Sequence, residues 1–389
     1  MQGLTTCSEQ DSRPSQPRSD ARTATPTPSA DLSGSDLRPT AAGERKTEDI
    51  SLPALMTDSL LAPYRNAKVL ITGGLGFIGS HLAARLVDAG ADVTLVDSLI
   101  PDYGGNPFNV RAIADRVRIN YSDIRDPWSI RHLVGGQDVI FNLAGQVSHL
   151  DSMEDPETDL DINCKAQLSL LEACRRNNPD VRVVFAASRQ QYGRPRTVPV
   201  TEDHPLVPID VNGINLIAGE SYHLLYDEVY GIRSCSLRLT NTYGPHLLMK
   251  HGRQGFITVF IRLALEGQTI KVFGDGTQLR DFTYVSDAVD AFLAAGATDD
   301  AFGEAFNVGG IEPVSLLKVA HMCQEIAGQG GEVETVPWPP ERKRIDIGSI
   351  YVDCTRLTNL TGWKPAVGLR QGLEMTFDFY RHYGDHYWT

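Results

Sequence analysis

Ala67-Lys-Val-Leu-Ile-Thr-Gly73-Gly-Leu-Gly76-Phe77-Ile78-Gly79-Ser-His-Leu82 reads as a buried strand, a glycine turn and a helix starting near Phe77. The three glycines at three-residue spacing each have a physical job. Gly73 permits a tight turn, Gly76 lets the backbone approach a pyrophosphate, and Gly79 lets the helix pack close to the strand. Phosphates then sit on unpaired N–H groups at a helix N-terminus, where the dipole favours negative charge. A second strand at 92–97 ends in Asp97, 24 residues past Gly73. A carboxylate there accepts the ribose hydroxyls of NAD and repels the 2′-phosphate of NADP, and no Arg follows directly to offset it. The expected cofactor is NAD.

Working outward, the pattern alternates strand and helix. Strands are expected at 67–72, 92–97, 116–121, 138–143, 182–187 and 233–238, with helical stretches between them. That alternation implies a parallel sheet covered on both faces, with ligands at the carboxyl ends of its strands. Beyond Pro245 the elements shorten, and strands near 270–273 and 305–308 read as part of a smaller lobe. The expected fold class is α/β, a doubly wound parallel (Rossmann) sheet with a smaller C-terminal α/β substrate lobe. The expected boundaries are a tail at 1–62, the NAD-binding domain at 63–245 and a mainly substrate-binding lobe at 246–389. Some of that last segment is free to return to the core.

Residues 1–50 are rich in Pro, Ser and Thr, and the first aromatic residue is Tyr64. Such a segment buries too little apolar surface to offset its ordering entropy, so the tail is expected to be disordered. Its acids, Glu9, Asp11, Asp20 and Asp31, argue against a transit peptide, and it lacks the apolar stretch of a secretory signal. Met56 is an alternative start.

The 389-residue chain is 41% hydrophobic and carries a net charge of −13, which argues against nucleic-acid or anionic-membrane surfaces. No apolar run reaches the roughly 20 residues of a membrane span. The six cysteines are scattered with no CxxC pair, and the ten histidines lack ligand spacing. No metal site or disulfide framework is expected, and a reducing cytoplasm fits.

Further motifs follow the strands. They are Asp123-Ile124-Arg-Asp126, Asn142-Leu-Ala144-Gly145-Gln146, Ser188-Arg-Gln-Gln-Tyr192-Gly193, Leu237-Arg-Leu-Thr-Asn241-Thr-Tyr-Gly-Pro245 and Arg280-Asp-Phe-Thr-Tyr-Val285, and later Leu360-Thr-Gly-Trp-Lys-Pro365. Together they resemble the extended short-chain dehydrogenase/reductase family, over Ala67 to roughly Tyr380. Its members are mostly NAD-dependent epimerases, dehydratases and decarboxylases of nucleotide-linked sugars. The resemblance implies that Asp123 and Ile124 hold the adenine and that Ala144 and Gly145 floor the cofactor. Asn163 would steady the nicotinamide side. It also implies that Asn241 and Arg280 contact the substrate's phosphates, for which a guanidinium fork is suited. Arg342, in the basic run Arg342-Lys343-Arg344, matches a second phosphate contact. A UDP- or dTDP-sugar substrate and a homodimer built on helices near 158–176 and 214–229 are further implications.

The resemblance breaks at its chemical centre. The family's Tyr-x-x-x-Lys proton-transfer pair falls on Asn212 and Leu216, and neither can do that job. Ser188, the third member, is present. The adjacent Asp and Glu of the 4,6-dehydratases are Arg189 and Gln190, which disfavours elimination. Two readings remain. One is an epimerase using another base: Tyr192, activated by Arg189, although Tyr-Gly there reads more readily as a packing and turn element, or His149, which reads more readily as a plain loop residue. The other is an inactive NAD- and sugar-nucleotide-binding partner or regulator. Arg189 also suits an acidic sugar.

Overall fold

Two apolar layers cover opposite faces of one parallel sheet, and the alternation of side chains along β1 shows how. The computed structural model describes residues 58–250, 252 and 255–388. In β1 (Lys68–Thr72), Val69 and Ile71 join one core layer and Leu70 joins the other. A strand apolar on both faces belongs in the middle of a covered parallel sheet. The remaining strands are β2 (Asp92–Val96), β3 (Val117–Asn120), β4 (Val139–Asn142), β5 (Arg182–Ser188), β6 (Ser234–Leu239) and β7 (Ala305–Val308). All pair in parallel, in the order β7-β6-β5-β4-β1-β2-β3.

Helices α1 (Phe77–Asp88) and α5 (Val285–Ala297) contribute to one layer. Helices α2 (Pro127–Leu133), α3 (Ala166–Asn177) and α4 (Val211–Tyr230) contribute to the other. The chain runs outward from β1 to β3, then crosses back to place β4 on the other side of β1. That reversal opens a crevice at the carboxyl ends of β1 and β4.

The six expected strands all form, within about a residue at their ends. The strand at 305–308 does not belong to the lobe: it pairs with β6 as the seventh strand of the main sheet. Its burial explains the move, because all four residues are buried, with Phe306 and Val308 in the same layer as α5. Outside the main sheet, Ile270–Phe273 pairs in parallel with Val333–Val336. The helices Phe256–Leu265, Leu316–Ala327 and Leu369–Tyr383 pack into the same apolar layer as α5.

The tail and Met56 lie outside the described residues as far as residue 57. Residues 58–62, expected to be disordered, are ordered: Asp58–Leu61 is a helical turn running into Ala62–Tyr64. Tyr64 anchors it, fully buried, with its hydroxyl donating to the Leu293 carbonyl at 2.7 Å. Among the described residues, no helix is long and apolar enough to cross a membrane.

Candidate functional site

Thr72, the last residue of β1, sets the floor of the crevice. Its hydroxyl donates to Asn142 Oδ1 at 2.8 Å and accepts from the backbone of Leu143 and Ala144, each at 3.0 Å. Gly73 follows with φ +66°, and a side chain there would press on the Leu143–Ala144 backbone. At Gly79 a methyl group would overlap the Gly73 carbonyl oxygen, so only glycine lets α1 start this close to β1. Gly76 is the N-cap of α1, which leaves the first-turn N–H groups of Phe77 and Ile78 facing the crevice. Asp97 follows β2, with Oδ2 accepting from Leu75 N at 3.1 Å and Oδ1 from Leu99 N at 2.9 Å. Each oxygen keeps a second lone pair, and burial raises the carboxyl pKa.

These residues line one end of a cavity of about 680 Å³. Asp123, Ile124, Ala144, Gly145 and Asn163 line it too, as do Ser188, Asn241, Arg280 and Arg342. Asp123 is braced by Arg125, whose guanidinium donates to it at 2.6 and 3.0 Å and holds its pKa down. Asn163 behaves differently from expectation. Its amide is occupied by the protein, bonded to the Gln146 backbone at both ends (3.1 and 2.9 Å) and to Asp159 at 3.1 Å. It therefore shapes the floor loop. It sits in a π-helical turn, Asp161–Lys165, a local widening often found near functional sites.

At the opposite end, Arg189 Nη2 donates to Asn241 Oδ1 at 3.0 Å, while Asn241 Nδ2 donates to the Asp281 carbonyl at 2.8 Å. With its amide engaged at both ends, Asn241 presents Arg189 to the cavity. Arg280 is buried, held by the carbonyls of Leu279 and Gly348, and Asp346 Oδ1 is 3.9 Å from its Nη2. Burial lowers the pKa of both arginines, and for Arg280 the nearby charge of Arg189 adds to it. Arg189 Nη1 and Arg280 Nε are buried without a hydrogen-bond partner. Two close cations with unused donors form a site for an anion. Of the basic run, Arg342 is the residue on the cavity; Lys343 and Arg344 are exposed.

Tyr192 does not reach this site. It is fully buried in the turn after β5 and is absent from the cavity wall. Its hydroxyl donates to Asn307 Oδ1 at 2.7 Å and accepts from Arg238 Nη1 at 2.8 Å. Burial pushes its pKa up to about 12. The cation beside it is Arg238, which is paired with Glu220 at 2.6 Å, and not Arg189. Tyr192 is a buried structural link, and the expectation of a catalytic base there is corrected.

Ser188 lines the cavity and accepts from Gln190 N at 3.3 Å, capping the turn Arg189–Tyr192. Asn212, at the position of the missing tyrosine, is buried in the cavity wall. Its Nδ2 donates to the Gln146 carbonyl at 2.7 Å and to Asp159 Oδ2 at 2.9 Å. Its Oδ1 has no partner. Asn215 donates to the other Asp159 oxygen at 2.7 Å, so three asparagine amides cradle that buried carboxylate. Leu216 packs on Phe185 and Ala187. Sequence reasoning missed Thr72, Gln146, Asp159 and Asp210. Only a cluster of amides around a lone acid, which requires the fold, would have revealed most of them.

The opening residues of α4 carry a further pairing. Asp210 is the N-cap, with Oδ1 accepting from Gly213 N at 2.7 Å. Its other oxygen meets His149 Nδ1, while the Gln190 side-chain amide lies against His149 Nε2. His149 lines the cavity and its side chain is 31% exposed, against 2% for Asp210. Among the described residues, no group of three or more His, Cys, Asp or Glu side chains is placed to hold a metal ion.

Comparison with known proteins agrees with this geometry. Residues 69–309 match the model of the NAD dependent epimerase/dehydratase family. The chain is 34% identical over 318 residues to a putative UDP-glucose 4-epimerase of Methanocaldococcus jannaschii, covering 81% of this chain and 98% of that protein. It is 33% identical to the UDP-glucose 4-epimerase of Mycolicibacterium smegmatis, covering 81% and 99%. The solved UDP-glucose 4-epimerase of Thermotoga maritima, with UDP-glucose, superimposes with a TM-score of 0.74 at 29% identity, covering 81% of this chain and 99% of that one. The glycine turn, the parallel sheet and the similarity along the whole folded chain place this protein in the NAD-dependent epimerase/dehydratase family, with NAD as its cofactor.

Proposed function

We propose that this protein is a nucleotide-sugar epimerase that oxidises and re-reduces one sugar carbon with a base other than the family's tyrosine. The observation that carries this reading is the single cavity that joins the glycine turn and Asp97 to the arginine pair Arg189 and Arg280. A dinucleotide fits the first end: phosphates at the α1 N-terminus over Gly76, ribose hydroxyls at Asp97, adenine by Asp123 and Ile124. A diphosphate-linked sugar fits the second, between Arg280, Arg342 and Asn241-held Arg189. NAD, when bound, supplies the hydride acceptor. The protein's part is to hold the sugar against it, exclude water and move the hydroxyl proton.

A UDP- or dTDP-sugar is the proposed substrate class. Several similar solved structures carry UDP-sugars in their descriptions, among them the UDP-glucuronic acid 4-epimerase of Bacillus cereus with UDP-glucuronic acid and NAD, 28% identical with a TM-score of 0.73. The proposed assembly is a homodimer: Ile214, Leu225 and Val229 expose an apolar stripe at helical spacing on α4. The proposed compartment is the cytoplasm, consistent with five unpaired cysteines among the described residues. The proposed division is the one read from the sequence, with 63–245 serving NAD and 246–389 serving mainly the sugar nucleotide.

One observation favours an inactive binding partner instead: the Asn212 amide is tied into the Asp159 cradle and Leu216 is packed as an apolar residue. Incubating the full chain with UDP-, dTDP-, GDP- and CDP-sugars, and following NADH absorbance and sugar NMR, decides between them. Epimer formation with a UDP- or dTDP-sugar is expected. NAD binding by calorimetry without any turnover overturns the enzymatic reading in favour of the binding one.

A further inference from the structure

We propose that His149, oriented by Asp210, is the proton-transfer residue that replaces the missing tyrosine and lysine. This rests on the epimerase reading above. The helix that carries the pair in the family's other members is capped here by Asp210, and its first turn sets Asn212 in the cavity wall. Asp210 is held rigidly, because one carboxylate oxygen caps α4 through Gly213 N and the other engages His149 Nδ1. A histidine whose Nδ1–H is committed to a fixed carboxylate presents the Nε2 lone pair on its far side. That lone pair meets the Gln190 side-chain amide, so Gln190, which lines the cavity and borders Ser188, must yield it to a sugar hydroxyl.

The Gln190 amide carries both a donor and an acceptor. Turned aside, it leaves Nε2 to the sugar hydroxyl, and once the proton has arrived its carbonyl oxygen can accept from the imidazolium N–H. Its carbonyl oxygen is buried without a partner. Asn212 Oδ1, also unpartnered, is an acceptor in the same wall that can steady a ligand hydroxyl but cannot take its proton.

Two competing groups fail on geometry and a third on its surroundings. Tyr192 is fully buried, bonded to Asn307 and Arg238, and absent from the cavity wall. Asp159 is enclosed by the amides of Asn163, Asn212 and Asn215. Tyr103 lines the cavity, but burial and the nearby acids Asp151, Asp155 and Asp159 make its phenolate harder to form.

The step balances within one cycle. As the sugar's C–H bond breaks, hydride leaves to NAD, and as its O–H bond breaks, the proton passes to His149 Nε2. The carbinol would become a ketone, with NAD, when bound over the glycine turn, supplying the hydride acceptor. Return of the hydride to the opposite face of the carbonyl carbon, and of the proton from Nε2 to its oxygen, would give the epimer and restore neutral His149.

The test uses the full chain and the substrate found in the sugar panel. His149→Ala is expected to lower kcat by about 100-fold or more, the usual scale for a general base. KM and NAD affinity should stay unchanged, and added imidazole should restore part of the rate. Asp210→Asn is a positioning change, so it should lower kcat and also shift the ring tautomer. Long-range 1H–15N spectra of the NAD complex report that tautomer without turnover. An Nδ1–H ring is expected in the wild type, and its loss in Asp210→Asn supports the proposal. Wild-type kcat in His149→Ala, or an Nε2–H tautomer in the wild-type complex, overturns the proposal while the epimerase reading stands. Absence of turnover by the wild type with every sugar overturns both.

Discussion

Tyr192 and Asn307 are joined by a 2.7 Å hydrogen bond across 115 residues of sequence, with the phenol donating to the amide oxygen. Asn307 lies in β7, so this bond ties the turn after β5 to the strand that closes the sheet's edge. Removing the hydroxyl in Tyr192→Phe leaves Asn307 Oδ1 without this donor and Arg238 Nη1 without this acceptor. An unpaired buried polar group costs about 1–3 kcal/mol. Chemical denaturation should show a loss of that order, while kcat with the sugar substrate is unchanged. A large drop in kcat at unchanged stability would return Tyr192 to the chemistry.

Arg189 and Arg280 are partly buried cations that repel each other and carry unused donors. A diphosphate relieves both defects. UDP alone should therefore raise the melting temperature of the protein. Arg280→Gln should weaken UDP binding by roughly 10- to 100-fold in calorimetry, the loss of a charged hydrogen bond or two. NAD affinity should not change.

Asp97 donates nothing and accepts from two backbone N–H groups, which leaves lone pairs for ribose hydroxyls. Asp97→Asn keeps the shape and removes the charge. NAD affinity is expected to fall about tenfold, as for one charge-assisted hydrogen bond. Discrimination against NADP should narrow, since the repulsion of its 2′-phosphate is gone. Titrations with both cofactors measure the ratio; an unchanged ratio would show that Asp97 does not set the preference.

His223 predicts the acid stability of the fold. It is fully buried, stacked on Phe185 with ring centroids 4.3 Å apart, and Nδ1 bonds the Gly219 carbonyl at 2.8 Å. Burial lowers its pKa to about 4, below the 6.5 of an exposed ring. Between those values the unfolded state binds more protons than the folded one, so stability is lost as pH falls. The expected loss from pH 7.5 to pH 5 is about 2 kcal/mol from this residue alone. Denaturation at the two pH values should show a smaller acid loss in His223→Gln than in the wild type.

Much of the fold was legible from local pattern. Strands β1 to β6 are short, apolar and bounded by turns, and such a signal needs only neighbouring residues. The glycine turn was legible for the same reason, since Gly73 and Gly79 answer to steric demands within a few residues of themselves. Asn241 and Arg280, expected to meet the substrate's phosphates, both line the cavity, but Asn241 holds Arg189, a role visible only once strand ends are aligned. Asn163 and Asn212 could not be understood from the chain at all, because their shared partner, Asp159, is 53 residues from Asn212.

The sequence by itself determined the NAD-binding half and the loss of the usual proton-transfer pair, since both are matters of residue identity at fixed local spacing. Tertiary structure decided which groups share the cavity with the positions of that pair. The return of β7 to the sheet places Asn307 against Tyr192 and so engages that phenol away from the cavity. The N-cap of α4 brings Asp210 to His149, 61 residues away, and so gives the cavity an oriented imidazole. Side chains become chemical partners through distances in space, and the spacing of letters along a chain does not encode those distances until the sheet is closed.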